Sequence, residues 1–128
     1  MADKASSAPH FPGQAVIESY GRGGFRFAGM SHRGSLLCLP SGIYAWPVDE
    51  PDAITKESLA PVLAEASRIG LLLIGTGPTR WPLPVELLAL FGRHKISAET
   101  SQTGQAANTY NILLEEGRRV AAALIAVD

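Results

Sequence analysis

Leu71-Leu72-Leu73-Ile74-Gly75-Thr76-Gly77 is an uncharged apolar run closed by glycines. It is too short for a globular helix and too evenly apolar for a strand with one wet face, so it reads as a strand covered on both sides. Such a strand requires helices packed on its sheet. The chain before it reads as sheet, and the chain after it alternates helix with strand. The run is therefore expected to be the buried centre of the fold.

Working outward toward the C-terminus, Pro82 and Pro84 delay the next element. Pro84 suits the first position of a helix over Val85 to Arg93, because its missing N–H would be unsatisfied there in any case. Leu87, Leu88 and Phe91 form the stripe of that helix. Ile96 to Glu99 follows as a short strand. Thr103 can cap a helix that carries Ala106, Ala107, Tyr110, Leu113 and Leu114 on one face and stops at Gly117. Arg119 to Val127 closes the series as a strand without polar alternation, expected beside the central one.

Toward the N-terminus, Ala15 to Tyr20 reads as a strand that sets Val16, Glu18 and Tyr20 against Ile17 and Ser19, and it meets Gly21-Arg22-Gly23-Gly24, which can take the positive φ angles of a tight reversal. Phe25 and Phe27, Ser35 to Leu39, and Gly42 to Trp46 continue an antiparallel meander. Thr55 or Ser58 starts a helix running to about Ser67, with a loose first turn around Pro61. The predicted fold is α/β: one three-layer domain over residues 14–128, a mixed central sheet with flanking helices and an N-terminal antiparallel meander. Residues 1–13 read as a flexible tail.

At 128 residues the chain can bury a sizeable core without disulfides, and Cys38 is its single cysteine. Eleven basic and twelve acidic residues leave a net charge of −1, which argues against a nucleic-acid partner. No apolar run approaches the roughly 20 residues needed to cross a bilayer, so direct membrane insertion is not expected. The composition suits a cytoplasmic home, with any membrane reached through a partner.

Two surfaces stand out as candidates for function. Gly75, Thr76 and Gly77 lie at the carboxyl end of a strand, where α/β sheets commonly bind ligands, and Thr103, Asn108, Thr109 and Asn111 cluster on the following helix. The loop lacks both a dinucleotide fingerprint and the Gly-Lys-Ser/Thr of a P-loop. Arg80 and Trp81 form the second candidate, as tryptophan and arginine are common anchors of protein interfaces, with Trp81 as a lid on the core the equal alternative. Arg22, Arg26, Arg33, Arg80 and Arg93 could assemble into a basic patch, but they come from different elements and most read as solvated. Cys38 reads as a buried structural thiol, Tyr110 as core, and His10, His32 and His94 show no metal-ligand spacing. No acid, base and nucleophile converge, so no enzymatic activity and no cofactor are expected.

Leu72-Leu73-Ile74-Gly75-Thr76-Gly77, Thr103-x-x-Ala106-x-x-Thr109-Tyr110-Asn111-x-Leu113 and Glu116-Gly117-Arg118-x-Val120-x-Ala122-Ala123-Leu124-Ile125 together resemble a domain of unknown function. That family is shared by archaeal and bacterial hypothetical proteins, an adipogenesis-associated protein and the third assembly factor of mitochondrial respiratory complex I. The resemblance implies a three-layer α/β fold without established catalysis, and a protein partner, including subunits of a membrane complex. It draws attention to Gly75, Gly77, Thr103, Ala106, Thr109, Tyr110 and Asn111. The chain departs from the pattern at Ala107-Asn108, where relatives often carry Cys-Arg. The oligomeric expectation is a monomer or weak homodimer, with a small-molecule pocket at the glycine loop as the alternative function.

Overall fold

The computed structural model describes residues 8–128. The apolar run forms a strand over Leu71–Gly75, and it lies in a five-stranded mixed sheet. In chain order the strands are β1 (Ile17–Gly21), β2 (Gly24–Phe27), β3 (Met30–Arg33), β4 (Ser35–Leu39), β5 (Gly42–Trp46), β6 (Leu71–Gly75), β7 (Ser97–Ser101) and β8 (Val120–Leu124). The helices are α1 (Ala60–Ala64), α2 (Val85–Arg93) and α3 (Thr103–Glu115).

The main sheet has the order β5-β4-β8-β6-β7. β6 is parallel to both β7 and β8, whereas β4 runs antiparallel to β5 and β8. The geometric centre is thus β8, with β6 beside it. Ala121, Ala122 and Ala123 explain why: small side chains in the middle strand let bulky layers close on both faces, and all three are fully buried.

Alternation along the strands divides the core in two. One face carries Leu37, Leu39, Leu72, Ile74, Ala121 and Ala123 against Val62 of α1 and Leu87 and Phe91 of α2. The other carries Leu36, Cys38, Leu73, Ala122 and Leu124 against Ala106, Ala107 and Tyr110 of α3 and Ile17, Phe25 and Phe27 of the small sheet. Each large apolar side chain buried here contributes about 1.5–3 kcal/mol.

The N-terminal meander divides between two sheets. β1, β2 and β3 form a separate three-stranded antiparallel sheet, while β4 and β5 join the main one. Two-residue turns at Arg22-Gly23 and Ala28-Gly29, all four residues with positive φ, make the hairpins of the small sheet. Gly34, at φ 99°, turns the chain from one sheet to the other.

Several expectations need correction. Residues 1–7 of the expected tail lie outside the described residues, but its later part is tied down. The His10 N–H donates to the Ile43 carbonyl at 2.7 Å, and the Ile43 N–H donates to the Phe11 carbonyl at 3.0 Å. The first helix is only Ala60–Ala64, followed by a separate turn at Ala66–Arg68. Thr55 and Ser58 do not cap it; each hydroxyl accepts the other's N–H at 2.9–3.1 Å, which closes a preceding turn and leaves Pro61 in the first helical turn. Pro84 sits one position earlier than expected, as the N-terminal flanking residue of α2 with an extended ψ of 144°. Leu88 is 44% exposed, since the short α2 presents only Leu87 and Phe91 squarely to the sheet.

Candidate functional site

β6 delivers Gly75 to the start of α3, where the backbones meet too closely for any side chain. A Cβ at Gly75 would lie 2.8 Å from the Thr103 Cα and 3.2 Å from Leu124 Cδ2. Glycine is required here by packing, as a close approach of helix to strand. The next two residues are also buried, and Gly77 takes φ 101° to reverse the chain.

Thr103 holds this junction together. Its hydroxyl accepts the Gly77 N–H at 3.0 Å and donates to the Ile125 carbonyl at 2.7 Å. Its own N–H donates to the Gly77 carbonyl at 2.9 Å, and the Ile125 N–H donates to the Gly75 carbonyl at 2.9 Å. Thr103 is therefore not the helix cap. Gln102 precedes the helix with an extended backbone and makes no side-chain cap bond. A fully buried hydroxyl joined to an N–H and a carbonyl satisfies groups that would each cost about 1–3 kcal/mol if left alone.

Thr76 does the same for the loop that follows. Its N–H donates to the Ser101 carbonyl at 2.9 Å. Its hydroxyl donates to the Thr79 carbonyl at 2.8 Å and accepts the Trp81 N–H at 3.0 Å. The glycine loop is thus filled by its own threonines. Beside it, a cleft of about 410 Å³ is lined by Gly77, Pro78, Gln102 and Gly104, with Tyr20 and Ala126 to Asp128 opposite. The Tyr20 side chain packs over Gly104, where any larger residue would collide with its ring and hydroxyl.

Gly75, Thr76, Gly77 and Thr103 come together as one junction; the other candidates on α3 do not join it. Asn108 is exposed and Thr109 half-buried. Asn111 lies further along the helix with its amide turned to Ile17 of β1. Tyr110 donates its hydroxyl to the Ala15 carbonyl at 3.1 Å. Burial pushes the Cys38 thiol up to about 12, partly offset by the Tyr110 hydroxyl, and burial together with Cys38 raises Tyr110 far above the ordinary phenol value. Both are inert toward proton transfer near neutrality.

Arg80 and Trp81 are held from behind. Arg80 Nε donates to the Thr100 carbonyl at 3.1 Å, while Thr76 fixes the Trp81 backbone. Trp81 is 54% exposed, and Val85 and Leu88 on α2 are exposed as well. Between α2 and β7 lies a hollow of about 340 Å³ lined by Arg80, Leu83, Leu88, Ala98 and Thr100 among others. The loop thus presents an apolar surface on a fixed backbone.

Of the five arginines that could form a basic patch, Arg22, Arg26 and Arg33 border a common hollow on the small sheet, and Arg80 and Arg93 do not line it. The signal lay in the two-residue turns: once Ala28-Gly29 closes a hairpin, Arg26 stands opposite Ser31 and Arg33 two residues beyond. Among the described residues no helix is long and apolar enough to cross a membrane.

Comparison with known proteins places this geometry. The chain is 39% identical over 121 residues to an uncharacterized protein of Rhodobacter capsulatus, covering 94% of this chain and 92% of that one. It is 33% identical over 115 residues to the mouse NADH dehydrogenase (ubiquinone) 1 alpha subcomplex assembly factor 3, covering 90% of this chain but 62% of the relative. Among solved structures, a crystal structure described as an outer membrane protein from Bartonella henselae superposes with a TM-score of 0.90 at 52% identity, over 93% of this chain and all of that one. The family model described as Protein of unknown function (DUF498/DUF598) matches residues 17–125, from the first strand to the residue that closes the Thr103 junction, and the chain belongs to that family.

Proposed function

We propose that this protein is a non-enzymatic interaction factor that assists assembly of a respiratory membrane complex, with Arg80 and Trp81 on its partner-binding surface. The observation that carries this reading is the exposed Trp81 on a loop fastened by Thr76 and by the Arg80 bond to β7. A rigid, half-exposed tryptophan beside Val85 and Leu88 costs little entropy to dock. The likeness to the mouse assembly factor supports the assembly role, and the engagement of the Thr76 and Thr103 hydroxyls within the fold supports a non-catalytic one. The protein then works in the cytoplasm and meets the membrane through its partner, as a monomer or weak homodimer.

The test is affinity capture of the tagged protein from its native host in mild detergent, beside an Arg80→Ala, Trp81→Ala double variant. Recovery of respiratory complex subunits by the parent, and their loss with the variant, supports the reading. Absence of such subunits from both overturns the assembly role, and equal recovery by both moves the surface elsewhere.

The cleft beside Gly77 and Gly104 favours a second reading, a small-molecule site at the start of α3. It predicts a rise in melting temperature with a metabolite from a ligand library, abolished by Gly104→Ala. A library without a stabilising compound removes it.

A further inference from the structure

The small sheet has two unlike faces. Ile17, Phe25 and Phe27 enter the core from one, whereas the register sets Ser19, Arg26 and Ser31 in a row across the other. Arg33 is opposite Gly24, which is opposite Gly21. Gly21 brings no side chain to this face, and at Gly24 the β3 backbone comes so close that a Cβ would collide with the His32 carbonyl; a hollow of about 580 Å³ lies between the arginines. Arg22 borders it from the turn.

Arg22, Arg26 and Arg33 are all exposed, and no acidic residue lines the hollow. Arg26 Nη1 donates to Ser31 Oγ at 2.7 Å, which orients its guanidinium. Among the described residues the ion pairs are Arg68 with Glu65 and Arg118 with Glu116, so none of these three arginines has a carboxylate partner. The nearest acid on β1, Glu18, instead accepts the Gly29 N–H at 3.0 Å. A chain with net charge −1 has thus gathered three arginines without an ion-pair partner on one sheet face, bordered beside Gly21 by the terminal residue Asp128.

The edge of this sheet is open too. β3 pairs with β2 alone among the described residues. The two-residue turn makes Phe27 and Met30 a hydrogen-bonded pair, and alternation does the same for Phe25 and His32. Ser31 and Arg33 therefore turn their backbone N–H and C=O groups outward. Those two residues also supply polar side chains to the hollow.

We propose that the β3 edge and the Arg22–Arg26–Arg33 hollow together dock an extended acidic segment of a partner protein, added as a fourth strand with alternate carboxylates facing the arginines. Arg26 and Arg33 are diagonal neighbours, separated by about 7–8 Å. Alternate side chains of an extended peptide repeat at about 6.8 Å. Carboxylates spaced by two residues match that interval. A compact phosphate fits less well, because the backbone donors at the turn are engaged: the Gly23 N–H donates to Val127 and the Gly34 N–H to Gly23. Main-chain pairing at the edge supplies affinity and the arginines supply selection. This surface is separate from the Trp81 rim and does not depend on it.

The test uses the full chain and a fluorescein-labelled peptide of alternating glutamate and valine, read by fluorescence anisotropy, with amide chemical shifts locating the contact. Saturable binding is expected, weakened by added salt and by about tenfold in an Arg26→Gln, Arg33→Gln double variant, while Arg93→Gln leaves it unchanged. The Ser31 and Arg33 amides should shift. A charge-reversed Arg26→Glu, Arg33→Glu variant should take up the lysine-valine counterpart instead, and circular dichroism confirms that each variant folds. No saturable binding, or binding indifferent to Arg26 and Arg33, overturns the proposal. Tighter binding of inorganic phosphate, single-stranded RNA or phosphatidylserine vesicles through the same arginines also overturns it and assigns the patch to that class.

Discussion

Asn111 brackets the Ile17 peptide from both sides: its Oδ1 accepts the Ile17 N–H at 2.7 Å and its Nδ2 donates to the Ile17 carbonyl at 2.8 Å. A side-chain amide thereby replaces a strand neighbour at the start of β1, where the register with β2 shifts between Ile17 and Ser19. This pair fastens the small sheet to α3. Asn111→Ala should cost about 1–3 kcal/mol of stability and accelerate amide exchange at Ile17. Urea unfolding with exchange measured by NMR checks it, and an unchanged Ile17 exchange rate would refute the clamp.

Thr103→Val removes a buried hydroxyl at nearly constant shape. The Gly77 N–H and the Ile125 carbonyl both lose their partner, so a loss of about 2–3 kcal/mol is expected. Thr103→Ser should retain most of the stability. The comparison is made at the urea midpoint with the denaturant slope unchanged. Equal stability of the valine and serine variants would mean that the hydroxyl contributes only volume.

Cys38 should resist alkylation while the protein is folded. With its thiol pushed up to about 12, the thiolate fraction at pH 8 is about 10⁻⁴, and the side chain is fully buried as well. Iodoacetamide labelling followed by mass spectrometry should proceed only at the rate of opening, and should rise with urea. Rapid labelling of the native protein would contradict the packing around Tyr110.

His32 links stability to pH. Burial, and then the neighbouring His10 with its ring centroid 4.8 Å away, hold its pKa below the ordinary 6.5, opposed by a bond with the Ser35 backbone. Between the lowered value and 6.5 the unfolded chain binds more protons than the folded one. Stability therefore rises with pH through that window and is lost as pH falls through it. Urea titrations across this range should show the slope, and His32→Gln should flatten it. An identical slope in the variant would assign the effect to other groups.

Local patterns carried well from sequence to structure. The all-apolar β6 and the helix α2 lie where local patterns placed them, although Pro84 flanks α2 instead of opening it, since both depend on neighbours within a few residues. Pairing depends on distant residues, so the split of the meander and the central place of β8 were not legible. Thr103 shows the same limit within one side chain. A threonine at a helix start suggests a cap, but a carbonyl 22 residues away takes its hydroxyl. Arg22, Arg26 and Arg33 became a cluster only when hairpin register was known. Arg80 and Trp81 stood out by residue type, as common interface anchors, but their support from Thr76 and Thr100 was not legible.

The placement of β8 bears on how the molecule is made. The strand that unites β4–β5 with β6–β7 is the last of the eight in sequence, so two half-sheets must wait with open edges until it enters between them. Nascent chains should therefore hold these halves apart during synthesis and close late, which makes the stretch from Val120 to Leu124 the point at which a truncation or a delay most exposes the chain to aggregation.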